Sequence, residues 1–237
     1  MTRVMEIKVY IFKENGGLRQ EERLLQAAEH YFKSESNVSC TNGAAGEMSG
    51  LQVEESMLYV AKTTLGKPYF PKLPNLHLSI SHSGAFWVCA LAPMEVGVDI
   101  QEHTIQRRET RPEAMVRFCK MARRFFHPVE AKYVEAESFY RFFGVWAARE
   151  SYVKYTGQGI DASFSEHCVI PKEEELWPEL TPGSVGSVSR EKVSADVGES
   201  VSWCAQGACF EECLFETNYT LCVCAGKEYS CSIVKCF

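Results

Sequence analysis

The sequence predicts an α+β fold, and three features point to it. Apolar residues alternate at the start of the chain, around residues 76–101 and through most of the C-terminal third, as strands with one wet face require. Between these runs, apolar residues recur at helical spacing. Two segments, SISHSGAFWVCALA (79–92) and CLFETNYTLCVCAG (213–226), echo each other as strand, two-residue turn, strand, with Gly84 and Asn218 at matching turn positions. The echo suggests a duplicated α/β unit with its seam near residue 104. The expected halves are 1–103 and 104–237, with a ligand cleft between them.

The opening MTRVMEIKVYIFKE alternates at Met5, Ile7, Val9 and Ile11 and carries charges throughout, so it reads as a first strand and not as a signal peptide. Leu24, Ala27, Ala28 and Tyr31 give the stripe of a helix from about Leu18 to Phe32. Residues 34–50 are rich in Ser, Asn and Gly and read as a loop. A short helix is expected from about Glu54 to Gly66, with Pro68 beyond it. LHLSISH, a Ser83–Gly84 turn and AFWVCALA then form a hairpin.

The next strand, EVGVDIQEH (95–103), puts Val96, Val98 and Ile100 on one face and Gly97, Asp99 and Gln101 on the other. Pro112 suits the first turn of a helix reaching about Phe126, with Met115, Phe118, Cys119, Ala122, Phe125 and Phe126 as its apolar stripe. Arg117, Lys120 and Arg124 face away from that stripe. Another helix begins near Pro128, and a third runs from about Ser138 to Thr156 and is closed by Gly157. The remainder reads as strands, interrupted by an acidic Gly/Ser-rich stretch over 173–200.

Composition narrows the function. The chain has 237 residues, 46% of them hydrophobic, enough to bury a real core in one large domain or two small ones. No run approaches the roughly 18 consecutive apolar residues of a membrane span, so a soluble cytoplasmic protein is expected. A net charge of −6 argues against nucleic-acid binding, yet residues 107–124 hold seven Lys/Arg and two acids. Such a local basic surface suits an acidic partner or a phosphorylated ligand. The eleven cysteines are odd in number and have no C-x-x-C spacing, and several lie in apolar runs. They are read as reduced core residues in preference to disulfides or zinc ligands.

Two stretches carry candidate chemistry. In FYRFFGVWAARESYVKYTGQG, Phe139, Phe143, Trp146 and Glu150 follow helical spacing, with Lys154 one turn further. Glu150 is then either half of a helix-surface pair with Lys154 or a core-facing carboxylate that needs a cation. In SISHSG, Ser81 and His82 beside a tight turn offer groups for phosphate oxygens, or are simply the polar end of a hairpin. No G-x-S-x-G elbow, P-loop or G-x-G-x-x-G fingerprint occurs.

Taken in order, GKPYFP, SISHSG, VGVDIQ, FFHPVE and VWAARESYVK resemble the motifs of 4′-phosphopantetheinyl transferases of the single-chain, double-length (Sfp-type) class, over residues 66–160. The resemblance implies two similar α/β halves related by a pseudo-twofold, with the active-site cleft between them. It implies a reaction that moves the phosphopantetheine arm of coenzyme A onto a serine of an acyl or peptidyl carrier protein and releases 3′,5′-ADP. It implies Mg²⁺, replaceable by Mn²⁺, held by Asp99 and Glu150. Gln101 stands where many members carry a third acidic ligand, and Arg149 where they usually carry lysine. Lys154 is matched to the pyrophosphate and the leaving phosphate, Ser81 and His82 to coenzyme A phosphates, Lys67 and Pro68 to the wall beside the adenine, and Arg23 to the 3′-phosphate. Glu130 is matched to an acid near the attacking hydroxyl, as base or water-holder, although acids at a helix start also serve the dipole. Arg117, Lys120 and Arg124 would meet the acidic carrier protein. The double length implies a monomer. Gln101, which brings no charge, keeps open a relative that binds coenzyme A or a carrier without transferring the arm.

Overall fold

The computed structural model describes residues 4–38, 55–136, 139–159, 162–170, 192–194 and 197–237. The first region contains β1 (Met5–Lys13), α1 (Gln20–Val38), the short pair β2 (Ala61–Lys62) and β3 (Pro68–Tyr69), then β4 (His77–Ser83), β5 (Phe86–Ala92) and β6 (Val96–Glu102). Three helices follow, α2 (Arg111–Phe125), α3 (Pro128–Ala136) and α4 (Phe139–Thr156). The chain ends in β7 (Lys192–Ser194), β8 (Val197–Ala205), β9 (Ala208–Phe215), β10 (Tyr219–Ala225) and β11 (Tyr229–Lys235).

The strands form two main sheets, ordered β11-β1-β5-β4 and β6-β10-β9-β8-β7. Each sheet draws a strand from the other side of residue 103. β6 pairs with β10, and β11 pairs in parallel with β1. One core lies between the sheets and combines Ile7, Val9, Ile11, Val88 and Ala90 with Val98, Ile100, Leu221 and Val223. The opposite face of the first sheet, through Tyr10, Phe12, Trp87 and Leu91, packs on Leu24, Ala27, Ala28 and Tyr31 of α1. Both faces of β1 and β5 are therefore dry, which explains the near-continuous apolar runs VYIF and FWVCALA. On the outer face of the second sheet, Ala147 and Ala148 of α4 cover Phe210, Cys222 and Cys224. A cluster rich in aromatic residues, including Phe118, Phe126, Phe142 and Phe143, joins α2, α3 and α4.

β4 and β6 are edge strands of different sheets, and serine side chains join them. The backbone N–H groups of Val98, Ile100 and Glu102 donate to the hydroxyls of Ser79 (3.0 Å), Ser81 (3.4 Å) and Ser83 (2.9 Å). Alternate residues of an edge strand point their N–H groups away from the sheet, and each would be costly to bury unpaired. The S-x-S-x-S alternation supplies one oxygen to each. On the outer side of β6, α4 passes directly over Gly97, where an added Cβ would lie 1.8 Å from the Ser151 carbonyl oxygen. Helix and strand approach this closely only because residue 97 is glycine.

Several sequence expectations are corrected. The helix expected from Glu54 is only a 3₁₀ turn, Glu55–Met57, followed by the β2–β3 hairpin. Gly66 is left-handed as expected (φ +89°), but it sits beyond the end of β2 and not at a helix end. Helix α1 runs into the expected loop as far as Val38, and residues 39–50 lie outside the described ones. The β4–β5 turn is Gly84–Ala85, one residue later than read. The β9–β10 turn has three residues, and its left-handed residue is Glu216 (φ 52°), not Asn218. Most of the acidic stretch lies outside the described residues, and its end, around β7 and the start of β8, is strand.

The reduced-cysteine reading fails at one pair. Cys204 and Cys209 face each other across β8 and β9 and form a disulfide. Cys89, Cys213, Cys222 and Cys224 are buried thiols, as expected.

One buried acid was not singled out from the sequence. Asp99, Cys222 and Glu212 form a row across β6, β10 and β9. Glu212 lies under α4, its oxygens 3.0 Å from where a Gly144 side chain would begin. Burial alone pushes its carboxyl up to about 7. The folded protein keeps a proton that the unfolded chain releases near pH 4.5, so this group's contribution falls as pH rises toward 7 and then levels off. Glu212→Gln is therefore expected to remove about 2–3 kcal/mol of the stability lost between pH 5 and pH 8. Urea unfolding of both proteins at the two pH values measures this. Equal losses would contradict the burial assignment.

Candidate active site

Asp99 is the hub. Its backbone is fixed by β10 on one side, opposite Cys222, and its neighbours' N–H groups are fixed by the β4 serines on the other. The residue is 2% exposed. Its Oδ1 accepts from Ser81 Oγ at 2.7 Å and from Lys154 Nζ at 2.6 Å, and its Oδ2 accepts from Gln101 Nε2 at 2.7 Å. A buried carboxylate needs such donors to remain charged. Asp99 and Gln101 share the strand face that the sequence assigned to them, and α4 brings Lys154 to that face.

Glu150, one turn before Lys154, is half-buried. Burial raises its pKa first and the nearby Asp99 charge raises it further, while Lys154 and Arg149 pull it back. No hydrogen bond or ion pair holds the Glu150 carboxylate among the described residues. Lys154 is paired with Asp99, so the simple Glu150–Lys154 surface pair is not formed. Two mutually repelling carboxylates, one of them without a donor, are a set that a hard divalent cation relieves. The residues present therefore fit Mg²⁺ or Mn²⁺ through Asp99 and Glu150. Gln101 is the remaining oxygen-bearing side chain, although its amide nitrogen faces Asp99. No group of three or more His, Cys, Asp or Glu forms a metal cluster among the described residues.

Lys154 also lines a cleft of about 240 Å³ that runs past Val153, Gly157 and Gly159 to Leu65, Gly66, Lys67 and Pro68. Lys67 and Pro68 are thus brought to the same hollow as Lys154. The Lys67 ammonium donates to the Tyr155 carbonyl at 2.6 Å, where a cation suits the C-terminal end of α4. Its stem lies against Gly157, where an added Cβ would be 2.9 Å from Lys67 Cδ. That glycine is also left-handed (φ +70°), so two constraints meet at one residue.

Glu130 does not join this group. It is 0% exposed and saturated. Oε1 accepts from Val169 N at 2.7 Å, and Oε2 accepts from His127 N at 3.0 Å and pairs with the Arg149 guanidinium. Burial pushes its carboxyl up against the pull of Arg149 and the two N–H groups. Arg149, 2% exposed, also donates to the His167 carbonyl at 2.8 Å and stacks 4.1 Å from the Phe164 ring centroid. The expected role as base or water-holder is not what this geometry gives. Glu130 caps α3 and anchors the residue beside Glu150.

Of three other sequence candidates, Arg23 and His82 lie apart, and Ser81 is used to hold Asp99. Arg23 is buried, bonded to Glu14 (2.8 Å to Oε2) and stacked near Trp87, so its guanidinium is committed within the first sheet's outer layer. Ser81 spends its hydroxyl on Asp99 and Ile100, not on an open cleft. His82 is exposed on the opposite face of β4. On α2, Lys120 and Arg124 are exposed as expected, but Arg117 is held by Glu109 through two bonds of 2.9 and 2.8 Å.

The sequence has known counterparts. The family model of the 4′-phosphopantetheinyl transferase superfamily matches residues 95–224, a span that contains Asp99, Gln101, Glu150 and Lys154. The chain belongs to the 4′-phosphopantetheinyl transferase superfamily. It is 33% identical over 114 residues to a 4′-phosphopantetheinyl transferase of Bacillus subtilis, covering 46% of this chain and 46% of that relative. It is 28% identical over 174 residues to 4′-phosphopantetheinyl transferase Sfp of Bacillus subtilis (strain 168), covering 71% of this chain and 72% of the relative. The Homo sapiens L-aminoadipate-semialdehyde dehydrogenase-phosphopantetheinyl transferase is 29% identical over 123 residues, covering 46% of this chain and 38% of its own length. The first and third of these matches span less than half of the relative. No helix among the described residues is long and apolar enough to cross a membrane.

The buried pair yields a stability prediction. Glu130→Gln leaves the Arg149 guanidinium buried beside a neutral amide, at an expected cost of about 3–5 kcal/mol. Chemical denaturation measures it. A loss below about 1 kcal/mol would show that the pair does not anchor α4.

Proposed function

We propose that this chain transfers the 4′-phosphopantetheine arm of coenzyme A to a serine of an acyl or peptidyl carrier protein and releases 3′,5′-ADP. The observation that carries this reading is that Lys154, paired with Asp99 and one turn beyond Glu150, lines the same cleft as Lys67 and Pro68. Asp99 and Glu150, with Gln101 beside them, would hold Mg²⁺ or Mn²⁺. When bound, the cation neutralises pyrophosphate charge so that a hydroxyl can approach.

The chain's own residues supply the rest. Lys67 and Pro68 border the adenine end, and Lys154 places an ammonium at the pyrophosphate. The carrier serine's Oγ forms a bond to the pantetheine-side phosphorus as the bond to the 3′,5′-ADP oxygen breaks. Lys154 meets the charge that develops on that leaving oxygen. The serine proton needs an acceptor. Glu150, whose carboxylate holds no hydrogen bond among the described residues, is better suited than Glu130, whose two oxygens are both bonded. Exposed Lys120 and Arg124 on α2 offer a cationic surface for an acidic carrier, with Arg117 held back by Glu109. Both carboxylates come from one chain, which suits a monomer.

The neutral Gln101 favours one other reading, a relative that binds coenzyme A without turnover. One experiment separates them. Incubated with coenzyme A, Mg²⁺ and apo-carrier proteins, the chain is expected to add the mass of one phosphopantetheine arm. Asp99→Asn and Glu150→Gln are each expected to slow transfer by about a hundredfold or more. Coenzyme A binding with no mass gain on any carrier that a known transferase modifies would support the binding-only relative and overturn the transferase reading.

A further inference from the structure

Lys67 stands where three hollows meet. With Glu95 it lines both a space of about 560 Å³ beside Tyr69, Pro71 and His77 and one of about 600 Å³ beside Leu65, Tyr155 and Gly157. The cleft toward Lys154 starts at the same lysine. Its ammonium is occupied by the Glu95 carboxylate and the Tyr155 carbonyl, which leaves one of three N–H donors for anything else. His77 Nδ1 lies 3.0 Å from the other Glu95 oxygen and holds that carboxylate from β4. The two partners differ in freedom. The Lys67 side chain is 14% exposed and the Glu95 side chain 52%, so Glu95 is the partner with room to turn toward water.

We propose that Glu95 is a specificity-determining gate on Lys67. Its carboxylate neutralises the ammonium until a ligand carrying a phosphate displaces it. A phosphate that takes the remaining donor of this ammonium is repelled by the Glu95 carboxylate beside it, so anion binding at Lys67 is favoured when Glu95 moves away. The gate then selects for strong anionic charge at this end of the cleft and disfavours ligands that lack it. The coenzyme A reading above identifies the ligand; the ion pair stands without it.

The test is calorimetric titration of the wild-type chain, Glu95→Gln, Lys67→Met and the double variant, with coenzyme A and separately with inorganic tripolyphosphate. At low salt, Glu95→Gln is expected to bind each anion about three- to tenfold more tightly. The gain should be absent in the Lys67→Met background and shrink at high salt. Glu95→Ala, which cannot hydrogen-bond Lys67, should show the same gain. A gain with tripolyphosphate and no binding of coenzyme A would uphold the gate and remove the coenzyme A reading. Unchanged or weaker binding in both Glu95 variants would overturn the gate. So would a gain that survives without Lys67, or the failure of both anions to bind any variant.

Discussion

The site depends on a seam made of serine hydroxyls. Two sheets from one chain meet edge to edge along β4 and β6, and an edge strand's outward N–H groups must find acceptors. Ser79, Ser81 and Ser83 provide them side by side. That fixes the height and tilt of β6, and therefore where Asp99 emerges on its outer face. Ser81 has a second task, because its hydroxyl also donates to the carboxylate. A single residue thus ties the joint between the sheets to the charge at the centre of the site.

On the other side of Asp99, the close contact of α4 with Gly97 sets the helix depth. Successive turns then present Glu150 and Lys154 to the strand. The Glu130–Arg149 pair fixes α4 from behind and involves groups that face away from the cleft. Electrostatics at the site is consequently asymmetric. Asp99 is surrounded by donors, whereas Glu150 is desolvated and feels its neighbour's charge. A cation is the natural way to relieve that imbalance, and Lys154 can meet a phosphate from the same position.

Much of this was readable from residue order alone. Alternation placed Asp99 and Gln101 on one face of a strand, and helical spacing placed Glu150 and Lys154 one turn apart. What the sequence could not supply was pairing partners. SISHSG left open phosphate contacts or the polar end of a hairpin, because small hydroxyls suit both anions and backbone N–H groups, and the neighbouring edge strand supplies the N–H groups here. The even spacing of the three serines was the available signal. Glu130 and Arg23 matched family positions, yet their local partners, Arg149 with two N–H groups and Glu14, absorb them. The Cys204–Cys209 bridge follows from a hairpin register that spacing alone did not reveal. Glu95 drew no notice because its meaning lies in Lys67, from a distant stretch of the sequence.

The central claim is that Asp99 and Glu150, far apart in sequence, act as one pair of cation ligands. Electron paramagnetic resonance of Mn²⁺ titrated into the purified chain tests it most directly. One site per chain is expected, lost in Asp99→Asn and equally in Glu150→Gln while each variant remains folded. A bound ion that persists unchanged in either variant would show that the two carboxylates do not share a cation.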